Sequence, residues 1–201
     1  MEKEENSIAG YILTGGKNRR MGGKRKLFLE YKGKPFYWHI LQALDLFSNV
    51  YLSVDAIPPY EVLSLPMIVD QYPEIGPIGG IYSGLQYCRE EALFVTACDM
   101  PLIDQNVVRQ VIEQYEKENN ITVVQVKEQI HPLFGIYPKT VLPIIEQMIQ
   151  ANDYRIMNLL ALAQVSVVQL DNNSRIAENI NTEKEYERLR GETNGTEIES
   201  F

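Results

Sequence analysis

The chain predicts an α/β sandwich around a mostly parallel sheet, and three observations carry that expectation. Short apolar runs alternate with segments of helical periodicity. The runs end abruptly at glycine, aspartate or proline. The residues least suited to a core gather just after those ends. In open α/β sheets, ligands collect in the crevice at the carboxyl ends of the strands, so the third observation is also a prediction about function.

The elements follow in order. Ile8–Leu13 reads as a buried strand that stops at Gly15-Gly16. A basic loop follows, and then Tyr37, Ile40, Leu41, Leu44 and Phe47 recur at helical spacing. Strands are expected at Val50–Val54, Met67–Val69 and Leu93–Ala97, with a helix entered through glycine from Gly79 to Tyr87. Asp104 suits a helix N-cap ahead of Val107, Val108, Val111, Ile112 and Tyr115. Later strands are expected at Ile121–Val126 and Val165–Leu170, with one helix starting near Pro138 and another over Thr182–Leu189. Residues 1–190 are expected to form a single domain, and the polar stretch 191–201 a flexible tail.

Composition narrows the function classes. The 201 residues are 45% hydrophobic and 23% charged, as in an ordinary globular domain. A net charge of −8 argues against a nucleic-acid partner, and no apolar run is long enough for a membrane span. Cys88 and Cys98 have neither metal-ligand spacing nor disulfide density, which makes a reducing cytoplasm the simplest setting. They read as buried small apolar residues.

Against this acidic background, Leu13 to Lys26 reads LTGGKNRRMGGKRK, four glycines interleaved with six cations directly after an apolar strand. Paired glycines let backbone amides approach phosphate oxygens, and the cations balance a triphosphate and its departing pyrophosphate. The spacing is neither a Walker A loop nor GxGxxG. The plainer reading of a charge run is a solvated loop; the glycines favour the phosphate reading. A second constellation is Val95–Leu102, VTACDMPL, where Asp99 either holds Mg²⁺ or caps the next turn. In a third, Asp70 precedes Gly76-Pro77-Ile78-Gly79-Gly80, glycines that serve either a nucleotide or close helix–sheet packing. Asp70 binds ribose or metal, or simply ends a strand. His39 reads as a surface or packing residue rather than a catalytic one. His131, in HPLFGIY, either touches an acceptor or is structural. In Asn179-Ile180-Asn181-Thr182, Thr182 with Glu185 forms a helix-capping signature that is compatible with binding.

Taken in order, LTGGxxxRMGGxxK, D…GPIGGIxxGL, TACDMPL, HPLFGIY and NINT resemble the molybdenum cofactor guanylyltransferase family, over about Ile8 to Glu185. The resemblance implies a three-layer, Rossmann-like nucleotidyltransferase fold. It also implies transfer of GMP from GTP to Mo-molybdopterin with Mg²⁺, and release of pyrophosphate. Leu13, Thr14, Gly15, Gly16, Lys26, Asp70 and Asp99 then stand at the GTP-binding positions, with Asp99 as the metal ligand. Lys26, Arg20 and Asp99 carry catalysis, and His131, Asn179 and Asn181 face the acceptor. Molybdoenzymes and a GTP-binding adaptor are implied as transient partners. Two departures stand out: Thr14 where alanine is usual, and Arg25 where an aspartate commonly precedes the signature lysine. Relatives that use CTP carry LAAG, so Gly15 favours guanine. The alternatives are a sibling enzyme using CTP or a sugar or polyol phosphate acceptor, and a non-catalytic nucleotide- or pterin-binding relative.

Overall fold

The computed structural model describes residues 7–14, 20, 21, 24–55, 63–176 and 178–195. Gly15, Gly16, Lys17 and Arg19 lie outside the described residues, as does the segment beyond 195. The first half comprises β1 (Ile8–Leu13), β2 (Arg20–Met21), β3 (Lys24–Arg25), β4 (Glu30–Tyr31), β5 (Lys34–Pro35), α1 (Phe36–Ala43), β6 (Val50–Val54) and β7 (Met67–Val69). Next come α2 (Pro77–Tyr87), β8 (Ala92–Ala97), α3 (Gln105–Glu118), β9 (Ile121–Val126) and β10 (Gln129–Pro138). The chain closes with α4 (Leu142–Gln150), α5 (Ile156–Leu162), β11 (Val165–Leu170) and α6 (Glu183–Gly195).

Seven strands form one sheet in the order β11-β9-β10-β8-β1-β6-β7. β1 pairs in parallel with both β6 and β8, β6 with β7, and β9 with β11. Only β10 runs the other way within this sheet, against β8 and β9. The reason is local: two residues, Lys127 and Glu128, join β9 to β10, and so short a connection permits only an antiparallel pair. β1 and β8 are buried along their whole length, as continuous apolar runs in a parallel sheet must be.

Helices cover both faces. α1 and α3 pack one side through Ile40, Val108 and Val111 onto Ile12, Phe94 and Ile136. α2, α4 and α5 pack the other side through Ile81, Ile145 and Leu159 onto Tyr11, Val95 and Tyr137. A third, smaller cluster joins Leu29 and Phe36 to Ile180 and Leu189, pinning α6 beside the β4–β5 hairpin.

Asp104 caps α3, its side chain accepting from Asn106 N. Elsewhere some boundaries differ from expectation. α1 ends at Ala43, and Leu44 and Phe47 are buried in the turn beyond it. Near Pro138 the expectation holds: Pro138 ends β10 and caps a 3-10 turn, Lys139–Val141, that leads into α4, whose own first turn carries Pro143. α6 runs on to Gly195, into the stretch expected as a tail.

Candidate active site

The carboxyl ends of β1, β7 and β8 bring together the residues singled out in the sequence. Cys98 N donates to Leu13 O at 3.0 Å, so the backbone leaving β8 is bonded to the backbone entering the glycine–cation loop. The chain returns from that loop through the β2–β3 hairpin, where Arg20 pairs with Arg25, into a 3-10 turn that begins at Lys26. Lys26 Nζ then donates to Asp99 Oδ2 at 3.1 Å. Both ends of the loop therefore converge on Asp99.

Lys26 also donates to Asn181 Oδ1 at 2.6 Å. The lysine side chain is 6% exposed and that of Asp99 15%, so the ammonium is nearly enclosed. Burying such a charge is tolerable only with close, polar partners. Asp99 Oδ1 is buried and has no hydrogen-bond partner among the described residues. An ionised carboxylate oxygen left bare in a buried site is costly, and a divalent cation would satisfy it. Among the described residues there is no group of three or more His, Cys, Asp or Glu able to hold a metal. Among the described residues, Asp99 is the carboxylate that such a site would use, and Mg²⁺ sites are commonly completed by substrate phosphates and water.

Asp70 occupies a separate point of the crevice. β7 and β8 are three strand spacings apart, roughly 14 Å, so the two carboxylates serve different parts of a ligand. Asp70 N donates to Val54 O, and Asp70 Oδ1 accepts from Tyr72 N at 2.9 Å and Ser83 Oγ at 3.1 Å. Partial burial holds its carboxyl above the usual carboxylate range. Ser83, fully buried, gave no signal in the sequence; its role is visible only once α2 is laid against β7.

The glycines of α2 answer a question the sequence left open. A Cβ at Gly80 would come within 2.8 Å of Leu13 Cδ2, and one at Gly84 within 2.6 Å of the Tyr11 ring. These positions let the helix lie against the sheet, so packing accounts for them.

Other residues fall as follows. Leu13 is buried, and the Thr14 hydroxyl donates to Ser53 O, turned into the sheet. Asn179 is exposed. His131 lies near the start of β10, on the same sheet edge, and burial holds its imidazole below the usual value and therefore neutral at pH 7. His39 Nε2 donates to Tyr31 O, with its ring against Tyr31 and Trp38, as a packing residue. Cys88 is buried and Cys98 partly so; burial pushes the Cys98 thiol up to about 12, which keeps it protonated beside Asp99.

The sequence matches the MobA-like NTP transferase domain over residues 10–168. The Flavobacterium johnsoniae protein named "Probable molybdenum cofactor guanylyltransferase" is 33% identical over 184 residues, covering 91% of this chain and 96% of that one. The chain belongs to the molybdenum cofactor guanylyltransferase family. It is a nucleotidyltransferase. A crystal structure of an Aquifex aeolicus VF5 protein superposes with a TM-score of 0.73 at 32% identity, over 87% of this chain and 94% of that one. A molybdopterin-guanine dinucleotide biosynthesis protein A from Archaeoglobus fulgidus gives 0.75 at 22% identity, over 93% and 99%, a likeness of fold. No helix among the described residues is long and apolar enough to cross a membrane.

Proposed function

We propose that the enzyme, working in the cytoplasm, transfers GMP from GTP to the terminal phosphate of Mo-molybdopterin and releases pyrophosphate. The observation that carries this reading is the convergence of both ends of the glycine–cation loop on Asp99, with Lys26 closing the junction. A loop of amides and cations suits a triphosphate. A bare buried carboxylate oxygen beside it suits the cation that accompanies one.

In the reaction, an oxygen of the acceptor phosphate attacks the α-phosphorus in line. A new P–O bond forms, the bond to the β-phosphate oxygen breaks, and pyrophosphate leaves with both electrons of that bond. No protein nucleophile is required; positioning and charge stabilisation supply the acceleration. Lys26 and Arg20 neutralise charge on the leaving group. Asp99 would hold Mg²⁺, which supplies Lewis acidity and a template for phosphate oxygens when bound. Asp70 holds the nucleoside end, and His131, Asn179 and Asn181 face the acceptor. Gly15 favours guanine. Handover of the product to molybdoenzymes, with transient contact with a GTP-binding adaptor, completes the proposed role.

Thermal melts with GTP, CTP, ATP and UTP in Mg²⁺ test the nucleotide, because a ligand binding only the native state must raise the melting point. Incubation with GTP and molybdopterin should then yield pyrophosphate and an acceptor heavier by GMP in the mass spectrum. Stabilisation by CTP alone, or GTP binding without pyrophosphate release, would overturn the reading.

A further inference from the structure

Lys26 is held by a residue that no regular element positions. Asn181 belongs to the irregular segment between β11 and α6, and it is exposed. Yet its side-chain oxygen must meet the lysine at 2.6 Å. The structure shows what fixes it. Ile180 N donates to Asp99 O at 2.9 Å, tying the segment to the strand end that carries the carboxylate. One residue later, Asn181 N donates to Glu185 Oε2 at 2.7 Å, and Thr182 N donates to the same oxygen at 2.8 Å. Glu185 N in turn donates to Thr182 Oγ1 at 3.3 Å, completing a capping box at the start of α6. The helix itself cannot drift, because Leu189 and Ile180 are fully buried with Phe36 and Leu29. Tyr186 OH also bridges Glu30, accepting from its N–H and donating to its carbonyl.

We infer that Glu185 is a positioning residue for the transfer reaction, acting through Asn181 on Lys26. A capping box alone needs the carboxylate only at the Thr182 amide. Here the carboxylate also takes the amide of the residue whose side chain receives the catalytic ammonium, so the cap sets the lysine's direction. The inference rests on the proposed role of Lys26 at the triphosphate.

The test uses the full chain with Glu185→Ala, Glu185→Gln, Asn181→Ala and the Glu185→Ala/Asn181→Ala pair. Glu185→Ala should lower kcat roughly tenfold to a hundredfold, the scale expected when a catalytic group is misplaced by about an ångström. Glu185→Gln keeps an oxygen able to accept both amides and should retain most of kcat. The double variant should be no slower than Asn181→Ala, as expected of residues acting in series. A second readout needs no turnover. Acylation of Lys26 by acetic anhydride, followed by peptide mass spectrometry, should be slow in the parent and in Glu185→Gln, and faster in Glu185→Ala and Asn181→Ala. If Glu185→Ala melts below assay temperature, Glu185→Asp, with its arm one methylene shorter, should show the same rise in labelling. Unchanged Lys26 labelling, or kcat effects that multiply in the double variant, would overturn the inference. Absence of GTP turnover in the parent would instead overturn the proposed reaction, leaving the labelling series to judge Glu185.

Discussion

Lys26 and Asn181 stand 155 positions apart, yet the lysine ammonium donates to the asparagine oxygen at 2.6 Å. The same ammonium bonds Asp99 from the other side. It therefore pairs with the carboxylate expected to meet the metal.

This arrangement has a consequence for metal binding. A resident cation beside a carboxylate opposes a second one, so Mn²⁺ without nucleotide should bind the parent weakly. Lys26→Met removes the competitor and should tighten Mn²⁺ binding, measured by electron paramagnetic resonance of the free ion. The same variant should lose turnover, because the leaving group loses its partner. Mn²⁺ affinity that is unchanged or weaker in Lys26→Met would show that Asp99 is not the metal carboxylate.

Asp99 allows charge and packing to be separated. Asp99→Asn keeps an oxygen for Lys26 and should melt close to the parent, while kcat falls by at least about a hundredfold. Asp99→Leu instead leaves Lys26 buried with Asn181 as its remaining acceptor among the described residues. Stranding one member of a buried pair costs about 3–5 kcal/mol. Calorimetry and pyrophosphate release together distinguish the two; near-parent turnover in Asp99→Asn would contradict the metal role.

Asp70 should show the opposite balance. Partial burial raises its folded-state pKa above the unfolded value, so the neutral form fits the fold better than the charged one. The stabilisation it contributes is full below the unfolded-state pKa of about 4 and is lost as pH rises through the folded-state value. Asp70→Asn, which keeps an oxygen for Tyr72 N and Ser83, should therefore be more stable than the parent at pH 7. The gap should close as pH falls below about 4. The GTP-induced rise in melting point should shrink in the same variant. Urea titrations at pH 7 and pH 4 check the first expectation, and a parent that is the more stable at pH 7 would refute it.

The sheet was legible in the sequence because its strands are short, mostly apolar runs that end abruptly, β1 most plainly as one buried along its whole length; β1, β6, β7, β9 and β11 fall on the expected residues. The β4–β5 hairpin was missed because its strands are two residues each, too short for a period. α5 was missed because seven residues give a helical pattern little length to repeat. At the site, Asp70, Asp99 and Lys26 were visible as chemistry out of place. Their partners were not. Ser83 looks like an ordinary helix residue until α2 lies against β7, and the Thr182–Glu185 cap, legible in the sequence, gives no sign that Asn181 beside it reaches Lys26. The alternation also could not reveal that β10 slots between β8 and β9, since neighbours in sequence need not be neighbours in a sheet.

The α2 glycines offer a final test, since packing and nucleotide binding predict different outcomes there. In a free helix, glycine to alanine would gain about 1 kcal/mol. At Gly84, however, the new methyl would stand 2.6 Å from Tyr11 Cζ and 2.7 Å from Leu93 Cδ1, both in fully buried residues. Tyr11 has no room to yield, because its hydroxyl is bonded to Gly80 O at 2.8 Å. Overpacking of this kind costs about 1–3 kcal/mol and outweighs the helix gain. Gly84→Ala should lower the melting point by several degrees, at about 2–4 °C per kcal/mol for a chain of this size, with KM for GTP unchanged. Gly80→Ala presses instead on Leu13 Cδ2 at 2.8 Å and lies 3.7 Å from Asp70 Oδ2. It should disturb the crevice as well as the fold, raising KM for GTP alongside its thermal cost. Equal KM effects in the two variants would mean that the helix glycines face the nucleotide directly rather than the sheet.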